Sequence, residues 1–327
     1  MAVLQLVLIM ASSVTSAPSS HYFPDSQIVL DMSVLSRSVY KLRKKVQSCH
    51  TLINLFQDEM AHESNSSDNQ TDEAQDIYQR LLPNGTECLH YHHDYSLGTQ
   101  VLVVRSSLHK YVAVAYAGTD DWNTMLKDGE IFTSDFGPNP TDTDNSTNYD
   151  AQDDNNVSPI FQGVPEGVRV HRGFNSAVFD NDGFQTILNC ISSARLGGNC
   201  DDTGSAGDTN IDTDSSSSPY QLFTTGHSLG AADSVLLGAA LHLAYPNEKI
   251  RSINFGCPKV GNIKWSFWID SLQPDKGGQT TTSSDDGDSK NSGSFEIFRF
   301  VNKIDLVPRL PEVQWFTHAG HTLQMSV

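Results

Sequence analysis

YQLFTTGHSLGAADSVLLGAALHLA, residues 220–244, decides the fold. Tyr220–Thr225 has the short apolar, β-rich character of a buried strand. Ala231–Ala244 is an Ala/Leu-rich run that reads as a helix and stops at Pro246. Between them lie Gly226, His227, Ser228, Leu229 and Gly230. This is G-x-S-x-G in the strand–turn–helix setting that the pattern requires. The two glycines let strand and helix approach without a side-chain clash. The tight turn lifts the Ser228 hydroxyl above the sheet. The helix N-terminus and the Leu229 backbone N–H then face any negative charge that develops there.

On either side the pattern alternates strand with helix. Residues 28–48 place Ile28, Leu35, Val39, Leu42 and Val46 at helical spacing. Gln100–Arg105 and Lys110–Ala117 read as a hairpin of two β-rich runs. Val168–Phe174 resumes an ordered pattern, and Gly183–Ala194 reads as a helix. Ile250–Phe255 and Phe295–Val301 are further buried strands. The alternation predicts an α/β fold, with a central, mostly parallel sheet flanked by helices. Four polar tracts interrupt it, at 62–76, 137–158, 201–219 and 273–293. Their composition cannot bury a core, so they read as disordered acidic surface insertions.

The charge follows those tracts. The 327 residues carry 21 Lys+Arg against 39 Asp+Glu, a net charge of −18. The tracts contribute −5, −5, −5 and −2, nearly all of it. A chain without clustered cations is excluded as a nucleic-acid binder and as an electrostatic anchor on anionic lipid. Met1–Ala17 reads as a signal peptide, leaving 18–327 as one domain exported from the cell. Sequons at Asn65, Asn69, Asn84, Asn145 and Asn156 fit that route. In an oxidising compartment Cys49 can pair with Cys88 and Cys190 with Cys200, leaving Cys257 a buried free thiol. No apolar run is long enough to cross a bilayer. No oligomerisation signal stands out, so a monomer is expected.

A serine hydrolase of this kind needs an acid and then a base downstream of the serine. Asp305 follows the strand Phe295–Val301 and precedes Val307-Pro308-Arg309-Leu310-Pro311, where a loop can lift a carboxylate to the sheet edge. With these residues in view, the chain resembles the class 3 (fungal-type) triacylglycerol lipases of the α/β-hydrolase fold. The resemblance runs through Tyr116-Ala117-Gly118-Thr119 with Trp122, then Val170-His171-Arg172-Gly173-Phe174, then the Ser228 turn. It continues through Phe255-Gly256-Cys257-Pro258-Lys259-Val260-Gly261-Asn262 and the block from Asp305 to Pro311.

The resemblance implies Ser228 as nucleophile and Asp305 as the acid that orients the base. It implies an oxyanion hole from Thr119 and the Leu229 N–H. The family's usual arginine before the glycine is replaced by Ala117. Trp122, Met125 and Leu126 fall in the segment that forms a lid in the family, and their helical spacing equally suits a core-facing helix. The implied substrate is an acylglycerol, bound at a lipid–water interface, with no cofactor. A phospholipid acyl chain or a feruloyl ester is the alternative substrate.

The base is where the chain departs from the family. There the histidine lies several tens of residues beyond the Asp305 block, whereas 22 residues follow Asp305 here. His318 and His321 are the candidates within the chain. The other reading is that the base is absent because the C-terminus is incomplete. If the base is absent from the protein altogether, a non-catalytic lipid- or partner-binding role follows, because losing a triad histidine costs about 10⁶ in turnover. His171 reads as structural, and His227 is expected to point away from the nucleophile.

No metal site is expected. His90, His92, His93 and Asp94 share one strand-like run, better read as a solvated strand than as a ligand set. Asp208, Asn210, Asp212 and Asp214 have calcium-like spacing without the central glycine or closing glutamate.

Overall fold

The computed structural model describes residues 24–42, 48–49, 82–118, 132–138, 159–200, 219–274 and 293–325. The signal segment 1–17, the tract 62–76 and nearly all of the other three tracts lie outside these residues. So do Thr119, Trp122, Met125 and Leu126, the calcium-like run at 208–214, and four of the five sequons. The fifth, Asn84, is exposed in a turn.

Seven strands form the main sheet, in the order β1-β2-β3-β6-β7-β9-β11. β1 (Thr86–Asp94), β2 (Thr99–Ser106) and β3 (Tyr111–Ala117) are antiparallel, with β2 and β3 forming the expected hairpin. From β3 onward every pairing is parallel: β6 (Gln221–His227), β7 (Lys249–Phe255), β9 (Ser294–Asn302) and β11 (His321–Met325). The mostly parallel sheet inferred from strand–helix alternation is therefore present.

Both faces of the sheet are covered. β3 shows why its sequence has no polar face: Val112, Val114 and Tyr116 enter one core, while Tyr111, Ala113, Ala115 and Ala117 enter the other. The second core is closed by α1 (Ser26–Leu42), whose Met32, Leu35 and Val39 are fully buried. The first is closed by α2 (Arg172–Phe179), α3 (Gly183–Arg195) and α4 (Leu229–Ala244). All but one residue of α4 is buried, as expected of a helix apolar on every side. Each large side chain so buried stabilises by about 1.5–3 kcal/mol before chain entropy is charged against it.

A second sheet, order β10-β8-β5-β4, was not legible in the sequence because its strands are only two or three residues long. It comprises β4 (Thr133–Asp135), β5 (Arg169–His171), β8 (Gly261–Asn262) and β10 (Phe316–Thr317). α5 (Ile263–Ser271) follows β8, its first turn capped by Asn262 Oδ1, which accepts from Trp265 N at 2.9 Å. Phe136 packs on Phe161, Phe179, Trp265 and Trp268 at centroid distances of 5.0–5.6 Å. Both expected disulfides are present, Cys49–Cys88 and Cys190–Cys200, and Cys257 is free and buried. No helix among the described residues is long and apolar enough to cross a membrane.

Candidate active site

Ser228 stands between the last residue of β6 and the first of α4, with φ 60° and ψ −127°. Few non-glycine residues adopt such a backbone, which costs on the order of 1–3 kcal/mol. The surroundings hold it there. Ser228 N–H donates to Phe255 O at 3.0 Å, and Ser228 O accepts from Ala231 N at 3.0 Å. The flanking glycines are required by space: a β-carbon on Gly226 would run into the Gly230 carbonyl, and one on Gly230 into the backbone of Tyr116 and Ala117. Ser228 is only 3% exposed, and its Oγ finds no hydrogen-bond partner among the described residues.

Gly118 keeps the approach to the helix N-terminus clear. A β-carbon there would press on the Tyr40 hydroxyl and sit 3.1 Å from Leu229 N. Tyr40 in turn donates to His227 O at 2.8 Å, so α1 braces the turn from the opposite core. Thr119, the expected partner of the Leu229 N–H, immediately follows Gly118 and lies outside the described residues.

Asp305 reaches the turn through a gap left by Gly256. β7 and β9 run in register, with Phe255 opposite Phe300, and Gly256 N–H donates to Phe300 O at 2.9 Å. Gly256 has φ +62°, and Asp305 Oδ2 lies 2.7 Å from where its β-carbon would be. The other carboxylate oxygen, Oδ1, accepts from Val307 N at 2.9 Å. His227 Nε2 is 3.7 Å from that same point above Gly256. Its imidazole therefore turns toward Asp305. Burial lowers its pKa, and the Asp305 charge opposes that shift.

The two histidines after Asp305 are engaged elsewhere. His318 Nε2 lies 2.6 Å from Pro308 O, beside a small cavity shared with Cys257 and Arg299. Burial pulls its pKa down to about 4, helped by the Arg299 charge and opposed by the Pro308 hydrogen bond. His321 pairs with Phe298 on the edge strand β11 and stacks on its ring at 5.5 Å. Three strand spacings separate β11 from β6, about 14 Å. Neither imidazole is bonded to Ser228 Oγ.

His171 caps α2, its Nδ1 accepting from Gly173 N at 3.2 Å, a structural role as expected. His90 and His92 stack at 6.3 Å on one face of β1. No group of three potential metal ligands occurs among the described residues. Gly256 and Tyr40 are the contributors that the sequence did not single out. Gly256 stood inside a quoted block without a role, and Tyr40 looked like any residue of an amphipathic helix.

The site thus brings together a strained serine at a helix N-terminus and, from two strands along the same sheet, a carboxylate that leans over Gly256. A family model described as Lipase (class 3) matches residues 141–315, more than half of the chain. Lipases of Rhizopus niveus and Rhizopus oryzae are each 21% identical over 228 residues, covering 68% of this chain. The chain spans only 40% of the length of those relatives. Among solved structures, a lipase from Rhizopus microsporus var. chinensis is similar with a TM-score of 0.54 and 17% identity. That match covers 96% of this chain and 80% of that one. Lipase II from Rhizopus niveus gives 0.52 and 17%, covering 91% and 80%.

Proposed function

Because this chain belongs to the class 3 lipase family and has the α/β-hydrolase fold, we propose that it is a secreted carboxylic-ester hydrolase acting on acylglycerols. The observation that carries the reading is Ser228, held in a strained turn, with Asp305 leaning over Gly256 on the side of its neighbour His227.

In this reading Ser228 Oγ attacks the ester carbonyl carbon while an imidazole takes its proton. The carbonyl oxygen becomes an oxyanion, stabilised by the Leu229 N–H and by Thr119. Collapse expels the alcohol and leaves an acyl-serine, which water then hydrolyses by the same two steps. Asp305 orients the imidazole and stabilises its positive charge. His318 serves as that base only by releasing Pro308, and His321 only by crossing from the edge strand. A histidine from another part of the protein is the third source. Trp122, Met125 and Leu126 belong to a lid over this site. Two disulfides, the Met1–Ala17 segment and the Asn84 sequon support secretion.

A second reading, a lipid-binding protein on the same scaffold, is favoured by one observation: no imidazole among the described residues is bonded to Ser228 Oγ. Hydrolysis of short- and long-chain p-nitrophenyl esters, with Ser228→Ala as control, separates the two. Turnover above that control supports the enzyme, and binding of long-chain esters without turnover supports the binder.

A further inference from the structure

A cavity of about 80 Å³ lies away from Ser228, between the β1–β2 hairpin and the α2–α3 turn. Val101, Ala177 and Ile187 give it apolar walls. Tyr116 also lines it. That residue is 0% exposed, and its hydroxyl has no hydrogen-bond partner among the described residues. Leaving such a group unmet costs about 1–3 kcal/mol, so it is ready to bond to something that enters. Burial, reinforced by the Asp233 carboxyl, raises its pKa well above the usual value and keeps it a neutral hydroxyl.

Part of the lining is acidic. Asp94 and Asp180 contribute to it, and no Lys or Arg among the described residues does. Asp94 stays ionised: burial pushes its pKa up, but hydrogen bonds from Ser96, Asn181 and the Leu97 N–H hold it at about 2. Asn181 donates to Asp94 Oδ2 at 2.6 Å. It does so from a strained turn in which Asn181 and Asp182 both have positive φ, 53° and 58°. Two consecutive non-glycine residues in that conformation mark a place where the fold accepts cost to shape a surface. The parallel rings of His90 and His92 form one side wall.

We propose that this cavity is a second binding site, for a small free amino-alcohol cation of the choline class. The ammonium lies toward Asp94 and Asp180, the short carbon spacer crosses Val101 and Ile187, and the ligand hydroxyl bonds to Tyr116. An anion is disfavoured by the two carboxylates. A phosphorylated headgroup is disfavoured as well, because no Lys or Arg among the described residues lines the cavity to receive phosphate.

The test is calorimetric titration of the full chain with choline chloride. Its uncharged isostere 3,3-dimethyl-1-butanol and phosphocholine serve as the other arms. Saturable choline binding in the millimolar range is expected, at least about tenfold tighter than the isostere or phosphocholine, equivalent to 1.4 kcal/mol. Tyr116→Phe, which keeps the ring, should weaken it several-fold. Ala177→Leu, which fills the cavity, should abolish it while the melting curve shows a folded protein. No saturable binding overturns the proposal, as does equal binding of the isostere or of phosphocholine. Choline binding unchanged by Tyr116→Phe overturns it even if Ala177→Leu fails to fold.

Discussion

Asp305 leans across Gly256: its Oδ2 lies 2.7 Å from where any larger residue at 256 would place a β-carbon. The carboxylate can stand beside the Ser228 turn only because that atom is missing. Gly256→Ala should therefore act on Asp305. Alanine at φ +62° is strained, and its methyl group displaces the carboxylate. A displacement of about 1 Å at such a site costs about 10²-fold in rate. Ester turnover of this variant should fall by about that factor, with a stability loss of about 1–3 kcal/mol by urea denaturation.

Ser228 should itself be a destabilising residue. Its backbone, at φ 60° and ψ −127°, is one that glycine adopts freely. Ser228→Gly is expected to raise stability by about 1–2 kcal/mol while abolishing turnover. Equal or lower stability would mean that the turn is not strained.

His318 predicts an acid-side stability loss. Its pKa falls from 6.5 to about 4 on folding, so the unfolded chain takes up a proton that the native chain refuses. Stability should thus fall as pH falls from about 6.5 toward 4. Urea midpoints measured across that window should slope downward toward acid. His318→Gln, which cannot titrate, should flatten part of the slope. His171, His227 and His242, whose pKa values are also lowered by burial, keep the remainder.

The Cys190–Cys200 bridge closes a short loop at the end of α3. Arg105 donates to Gly198 O at 2.7 Å inside that loop, tying it to β2. Replacing both cysteines by alanine should lower unfolding free energy by about 2–3 kcal/mol. Thermal or urea unfolding under non-reducing conditions measures this directly.

Much of this architecture was legible from residues 220–244 and their neighbours. Continuous apolar runs such as 111–117 have no polar face because both faces of β3 are covered. The pairing of Cys190 with Cys200 followed from their closeness in the sequence, ten residues apart. The small sheet escaped notice because two-residue strands carry no period. The Asp305–Gly256 contact escaped for a different reason. It joins residues from two strands whose register no local pattern encodes. His227 was expected to point away from the nucleophile. Its Nε2 lies 3.7 Å from the point above Gly256 that Asp305 Oδ2 also approaches, and it makes no hydrogen bond to Ser228 Oγ.

The proposed function rests on Ser228 acting as an activated nucleophile. Its most direct test is treatment of the folded chain with a fluorophosphonate, followed by peptide mass spectrometry. Covalent phosphonylation at Ser228 is expected, abolished by Ser228→Ala and strongly reduced by Asp305→Asn. A folded chain in which Ser228 stays unmodified, or is modified no faster than other serines, would contradict it.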